Sequence, residues 1–172
     1  MKLHVPIDTV VPGGELREWL LESSVMRAKQ EHEWLKEELR SIYDQACGVR
    51  RESDAGGLDR KMRQLREGVK RFLKHWNEHT EWEDHELFPQ AAYYLGAEPD
   101  TFVLMEREYE LAEQNIRIFL QALDRAAYPI GKEEARRMSA YLIQAYAVLN
   151  NRFREEDEMM ADLAGGLRSS RS

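Results

Sequence analysis

Between Leu58 and Trp76 the apolar residues recur in steps of four and three: Leu58, Met62, Leu65, Val69, Phe72, Trp76. That spacing is the period of an amphipathic helix. The next two steps on the same face land on His79 and Glu83. An imidazole and a carboxylate therefore stand where the pattern calls for core side chains. Burying a carboxylate costs several kcal/mol unless it meets a cation, a metal or several hydrogen-bond donors. A chain with this stretch must fold into something helical and must supply such a partner.

Three more segments carry the same periodicity. Helix A is expected from about Glu15 to Gly48, with the stripe Val25, Ala28, His32, Leu35, Leu39, Ile42, Ala46. A charged loop, Arg50 to Gly57, ends in paired glycines. Helix B then runs from about Leu58 to Tyr94, with Pro89 expected to kink or interrupt it. A turn over Gly96–Asp100 leads to helix C, about Asp100 to Ala127, opened by Pro99. Its stripe is Phe102, Met105, Tyr109, Ala112, Ile116, Phe119, Leu123. Pro129 and Gly131 break the chain before helix D, about Glu133 to Ala164, with the stripe Met138, Leu142, Ala145, Leu149, Arg152, Glu156, Met159, Leu163. No segment alternates as a strand does.

Four long helices with short connections predict an all-α, antiparallel up-down-up-down four-helix bundle. The bundle spans 15–164, after an N-terminal arm over 1–14 and before a tail over 165–172 that is expected to be mobile once Gly165 and Gly166 end helix D. The chain is long enough for one substantial core, and its formal charge of −7 argues against a nucleic-acid surface. Its longest uncharged apolar runs are too short to span a bilayer, and Met1–Asp8 lacks the apolar run of a secretory signal. The default expectation is a cytoplasmic address. Cys47 stands alone, which excludes an internal disulfide and a thiolate-rich metal site.

The polar interruptions of the stripes fall at similar depths. His32, Tyr109 and Arg152 each lie roughly 15 to 20 residues from the relevant helix end, and so does His79. Antiparallel packing would gather His32, His79, Glu83, Tyr109, Arg152 and Glu156 into one slab. A faint internal repeat supports this. Glu31-His32-Glu33-Trp34-Leu35 matches Glu108-Tyr109-Glu110-Leu111-Ala112, and His79-Thr80-Glu81-Trp82-Glu83-Asp84 matches Arg152-Phe153-Arg154-Glu155-Glu156-Asp157. His32 thus corresponds to Tyr109, His79 to Arg152 and Glu83 to Glu156.

These residues resemble the hemerythrin-like, or HHE cation-binding, family. The carriers are Glu31-His32 in helix A and His79-x-x-x-Glu83 followed by Leu87-Phe88-Pro89 in helix B. The resemblance covers nearly all of 15–164. It implies a four-helix bundle holding non-haem iron on histidines and carboxylates, and a small ligand such as oxygen, peroxide or nitric oxide. The second half of the site departs from the family. Tyr109 stands at a helix-C histidine position, Glu113 a turn later, and Arg152-x-x-x-Glu156, with Asp157 beside it, replaces a second His-x-x-x-Glu. The histidine-poor set argues against reversible oxygen carriage. No histidine here has a Glu three residues before it, which disfavours the ferritin-like di-iron pattern.

Two readings compete. In the first, His32, His79 and Glu83 hold an ion, with Tyr109 or Glu156 added. Iron is the leading metal, with zinc or manganese as alternatives. One ion is favoured over two because few imidazoles remain, although His75, Glu113 or Asp157 would be candidates for a second position or for supporting hydrogen bonds. In the second, Arg152 replaces the metal by forking onto Glu83 and Glu156. The bundle would then hold no metal and serve as a structural or partner-binding module, as a homo-oligomer or with another protein. His85 reads as solvated, His75 as half-exposed at a helix interface, and Trp34, Trp76 and Trp82 as packing.

Overall fold

The computed structural model describes residues 13–95 and 99–169, with side chains described over 14–94, 107–167 and at Ser169. Those residues are helical throughout apart from short connections, and no strand occurs among them. The helices are α1 (Gly13–Arg51), α2 (Ala55–Trp82), a π-helical turn (Glu83–Leu87) continuing into α3 (Phe88–Leu95), α4 (Pro99–Arg125) and α5 (Lys132–Ser169). Four long helical stretches are therefore present. α1 packs on α2 and α5, and α4 packs on α5. Residues 1–12 of the expected arm, residues 96–98 of the expected turn and 170–172 of the expected tail lie outside the described residues, as do the side chains of Phe102 and Met105.

The helix ends differ from expectation in three places, each for a physical reason. Gly13 and Gly14 are already helical, so the expected arm is shorter by those residues. Gly56 and Gly57 lie inside the first turn of α2 rather than in the loop before it. Asp54 caps that helix, accepting a hydrogen bond from the Gly57 amide at 2.8 Å. A side-chain acceptor there satisfies an amide that has no intrahelical partner. At the other end, α5 passes through Gly165 and Gly166 to Ser169. Leu163 and Leu167 are buried against Leu21, Leu87 and Ala91, and this packing outweighs the poor helix propensity of the two glycines.

Pro89 has its expected disruptive effect, displaced by a few residues. Proline carries no amide donor, and its ring crowds the carbonyl four residues earlier. The strain is taken up ahead of it, where the Phe88 amide bonds the Glu83 carbonyl, five residues back. His85 is exposed, and its Nδ1 donates to the Glu81 carbonyl at 2.8 Å. Such wide turns interrupt α-helices without ending them.

Two apolar clusters fill the interior. The larger runs from Val49 and Leu58 through Leu39, Phe72, Ile116 and Leu142 to Trp76 and Phe153. The smaller comprises Leu21, Ala28, Trp82, Leu87, Ala91, Met160, Leu163 and Leu167. Along α1, α2 and α5 the switch between clusters falls at the same kind of place. His32 separates Ala28 from Leu35, His79 separates Trp76 from Trp82, and Glu156 separates Phe153 from Met160. A polar layer is thus sandwiched between two dry ones.

Candidate metal centre

α1 contributes His32 to this layer, α2 contributes His79, the first residue of the π-helical turn is Glu83, and α5 contributes Glu156. All four are buried, at 1% exposure or less. The i, i+4 spacing of His79 and Glu83 puts both on one helix face, and His79 Nε2 lies 2.9 Å from Glu83 Oε1. Across the layer, His32 Nε2 is 3.1 Å from His79 Nε2, 3.0 Å from Glu156 Oε2 and 3.9 Å from Glu83 Oε2. One donor atom from each residue fits in a group whose members lie within 4.8 Å of one another.

The far side of each imidazole determines what the near side can do. His32 Nδ1 bonds Asp157 Oδ1 at 2.8 Å, and His79 Nδ1 bonds Glu31 Oε2 at 3.3 Å. A carboxylate only accepts, so each Nδ1 carries the proton. In the neutral rings each Nε2 then presents a lone pair, and the two lone pairs face each other. The carboxylates add more. Both Glu83 oxygens and Glu156 Oε2 are buried and receive no directed hydrogen bond, despite the short approach of His79. Four converging acceptors with no donor between them call for a cation. An ion with bonds of about 2.1 Å holds ligands about 3.0 Å apart at right angles and about 3.4 Å apart at tetrahedral angles. The separations of 2.9, 3.0 and 3.1 Å match ligands at right angles, while the whole group spreads to within 4.8 Å. This buried group could hold a metal ion.

Without a metal, protons carry the same electrostatic load. Burial works against charging His32, but the carboxylates of Asp157, Glu156 and Glu83 beside it overcome it and raise its pKa to about 11. Burial likewise pushes the Glu83 carboxyl up, yet the two imidazoles bring it down to about 2. Glu156 moves the other way. Its own burial, and then the neighbouring Glu83 charge, push it well above the usual carboxylate range. Asp157 resists its partial burial and is held low by His32 and Lys36. A proton on His32 thus supplies positive charge to this layer, and metal binding at Nε2 must displace it.

The other residues singled out in the sequence take separate positions. The Tyr109 hydroxyl donates to Glu156 Oε1 and so adjoins the four-residue group. Arg152 is buried at 4% exposure, but it does not fork onto Glu83 and Glu156. Its NH1 turns outward to Glu155 at 2.6 Å and Glu108 at 3.2 Å, and its Nε stays 3.9 Å from Glu156 Oε1. The pull of two surface carboxylates explains the difference from the expected fork. Glu113 accepts from Trp76 Nε1 at 2.9 Å and pairs with Arg117, so it is not poised to bridge ions. His75 bonds Glu38 at 2.7 Å and packs on Trp34, apart from the donor group. Trp76 and Trp82 are buried, whereas Trp34 is half exposed. Asp157 lies behind His32, with Lys36 paired to its second oxygen.

Sequence reasoning gave Glu31, Lys36 and Phe153 no place at the site. Glu31 sits beside His32 in sequence yet serves His79, a cross-helix relation that no spacing within one helix discloses. Phe153 follows Arg152 and is completely buried against His32 and Trp76. Its signal was available, since an aromatic residue next to a stripe position widens the apolar face. None of the described helices is long and apolar enough to cross a membrane. Comparison with known proteins finds no matching family model, no matching curated protein and no matching solved structure.

Proposed function

We propose that this chain is a hemerythrin-like, up-down-up-down four-helix bundle that binds a single non-haem metal ion, iron, through His32, His79, Glu83 and Glu156. The observation that carries this reading is the convergence of four buried acceptor atoms whose carboxylate members lack donors. The packing of α1 on α2 and α5, and of α4 on α5, suits such a bundle. A mixed imidazole and carboxylate set suits iron, with manganese and zinc as the neighbouring choices. One ion rather than two is supported by the positions of Tyr109 and Arg152, since neither a phenol bonded to Glu156 nor a guanidinium supplies a second histidine-rich set.

When bound, non-haem iron supplies a Lewis-acidic, one-electron centre for oxygen, peroxide or nitric oxide. The protein's part is orientation and exclusion of water. Asp157 and Glu31 hold both imidazoles in the tautomer that presents Nε2 inward. Tyr109 occupies Glu156 Oε1 and leaves Oε2 to face His32. Trp76, Trp82 and Phe153 wall the layer with apolar surface. A role in sensing or removing small oxidants, or in holding iron, follows from such a site in cytoplasmic surroundings.

The test is metal analysis of freshly purified and of iron-reconstituted protein, with absorption spectra. One iron per chain is expected, with affinity lowered more than about 100-fold in His79→Ala and in Glu83→Ala while the helical content stays. Wild-type protein that takes up only a small fraction of an equivalent would overturn the reading. It would leave a metal-free bundle in which His32 carries the balancing proton.

A further inference from the structure

α1 carries a second strip of side chains, turned away from the core. Leu16, Trp19, Ser23, Met26, Gln30 and Trp34 follow one another in steps of three and four, with Leu20 beside them, and all are exposed and uncharged. At 3.6 residues per turn they centre about 140° round the helix from Leu21, Ala28, His32 and Leu35, which face the interior. Five of the eight large apolar side chains exposed among the described residues lie on this strip, with Trp19 at 60% and Met26 at 63% exposure. Apolar residues scattered singly over a surface need no explanation, but a strip with this spacing is the seam that one helix offers to another. The packing of α1 on α2 and α5 uses the opposite side of the helix and leaves the seam uncovered.

We propose that this strip binds a second copy of the chain, α1 against α1, antiparallel about a two-fold axis. The charges beside the strip select both the occupant and its direction. Glu15, Glu22, Lys29 and Lys36 follow every seven residues along one flank, acidic in the first half and basic in the second. Turned antiparallel, Glu22 meets the partner's Lys29, and the two-fold axis repeats the pair. Lys36, which would meet the partner's Glu15, is engaged with Asp157 on α5, so the Glu22 pair carries the choice. A parallel pair would bring Glu22 towards the partner's Arg27 instead. That guanidinium is already committed, lying 4.2 Å over the Trp82 ring and bonding Glu31 at 3.3 Å. The antiparallel register also sets the small Ser23 against the partner's Met26 and brings Leu16 near the partner's Trp34, so that large side chains meet small ones at the axis. A foreign helix would have to reproduce this order of charges, whereas a second copy carries it by construction. The strip is about 27 Å long and one helix wide. That is less than the roughly 800 Å² per partner of an ordinary stable interface, so the dimer should dissociate in the micromolar range. The pairing is independent of the metal reading.

The experiment is sedimentation velocity of the full chain from about 1 to 200 μM, where monomer should give way to dimer as concentration rises. Met26→Glu, at the middle of the strip, should stay monomeric throughout while keeping the helical content and melting temperature of the wild type. Leu111→Glu, which charges an exposed apolar residue of α4, should dimerise as the wild type does. Glu22→Lys and Lys29→Glu should each weaken the dimer by about tenfold, and the double variant Glu22→Lys/Lys29→Glu should restore it. A wild-type chain that stays monomeric at the top of the range overturns the proposal and leaves the strip to residues 1–12 or to another protein. A dimer indifferent to Met26→Glu overturns its placement on α1. A double variant no tighter than the single ones overturns the antiparallel direction.

Discussion

The two halves of the molecule place different chemistry at the same depth. In the α1–α2 half, His32, His79 and Glu83 all face the shared interior with their free donor atoms inward. In the α4–α5 half, the corresponding positions are Tyr109, Arg152 and Glu156, and only Glu156 joins the donor group. Tyr109 and Arg152 attend to carboxylates instead, the first to Glu156 and the second to Glu108 and Glu155. The lesson is that two pairs of helices can place polar residues in one layer while the first pair turns its polar atoms inward and the second turns most of its own towards carboxylates. It also shows why a polar layer survives between two apolar clusters. Each buried charge in it has an opposite charge or a donor-deficient neighbour ready for a cation.

The most drastic way to break this asymmetry is to restore imidazoles to the second half. If the proposed single-ion site is right, the double variant Tyr109→His/Arg152→His should take up two ions per chain where the wild type takes up one, measured by elemental analysis after reconstitution. If content stays at one, the difference between halves lies in backbone placement and not in residue identity. A milder change removes the support that α5 gives to a first-half imidazole. Asp157→Asn leaves His32 without its carboxylate and should weaken metal binding by about 10- to 100-fold in a competition titration. Glu31→Gln should act in the same direction through His79, with less effect because that contact is longer, 3.3 Å against 2.8 Å.

The metal-free protein offers a pH test of the same layer. Glu83, held down at about 2 in the folded state, contributes stability that is present above the ordinary value of 4.5 and lost as pH falls towards 2. His32, raised to about 11, contributes stability that is whole below 6.5 and lost as pH rises through 11. Thermal melts of the apoprotein should therefore drop on both flanks. Loading with metal should abolish the His32 part of the alkaline loss, because a ligating imidazole carries no proton on Nε2. An alkaline flank identical with and without metal would show that His32 is not a ligand. The smallest effect concerns the end of α5. A Cβ at Gly166 meets nothing within 4 Å, and the residue is exposed within a helix. Gly166→Ala should stabilise the protein by about 0.4 to 1 kcal/mol in a denaturant titration, whereas the same change would do nothing in a frayed tail.

Periodicity located the four long helical stretches and put six polar residues, His32, His79, Glu83, Tyr109, Arg152 and Glu156, on their apolar stripes. His32, His79, Glu83 and Glu156 each sit on a stripe, and a stripe position is a statement about burial. The same logic misplaced Met159, which is only partly buried while Met160 joins the apolar cluster. It also read Gly165 and Gly166 as a stop, because propensity is local and the contacts of Leu167 with α1 and α3 residues are not. Arg152 was legible as buried but not in its direction. A long side chain can turn either way from one Cα, and the choice depends on Glu108, a residue of another helix.

What the sequence determined by itself is therefore the helical period, the depth of each polar interruption and the identity of the groups that must be reconciled there. Those follow from spacing along a single helix, which is a one-dimensional property. Only the tertiary structure decided which atoms meet: that both imidazoles turn Nε2 inward because Asp157 and Glu31 hold Nδ1, and that Tyr109 bonds Glu156 while Arg152 bonds Glu108 and Glu155. These outcomes depend on hydrogen bonds between helices, whose strength falls away over a few tenths of an ångström and a few tens of degrees. No pattern within one strip of sequence encodes distances that short.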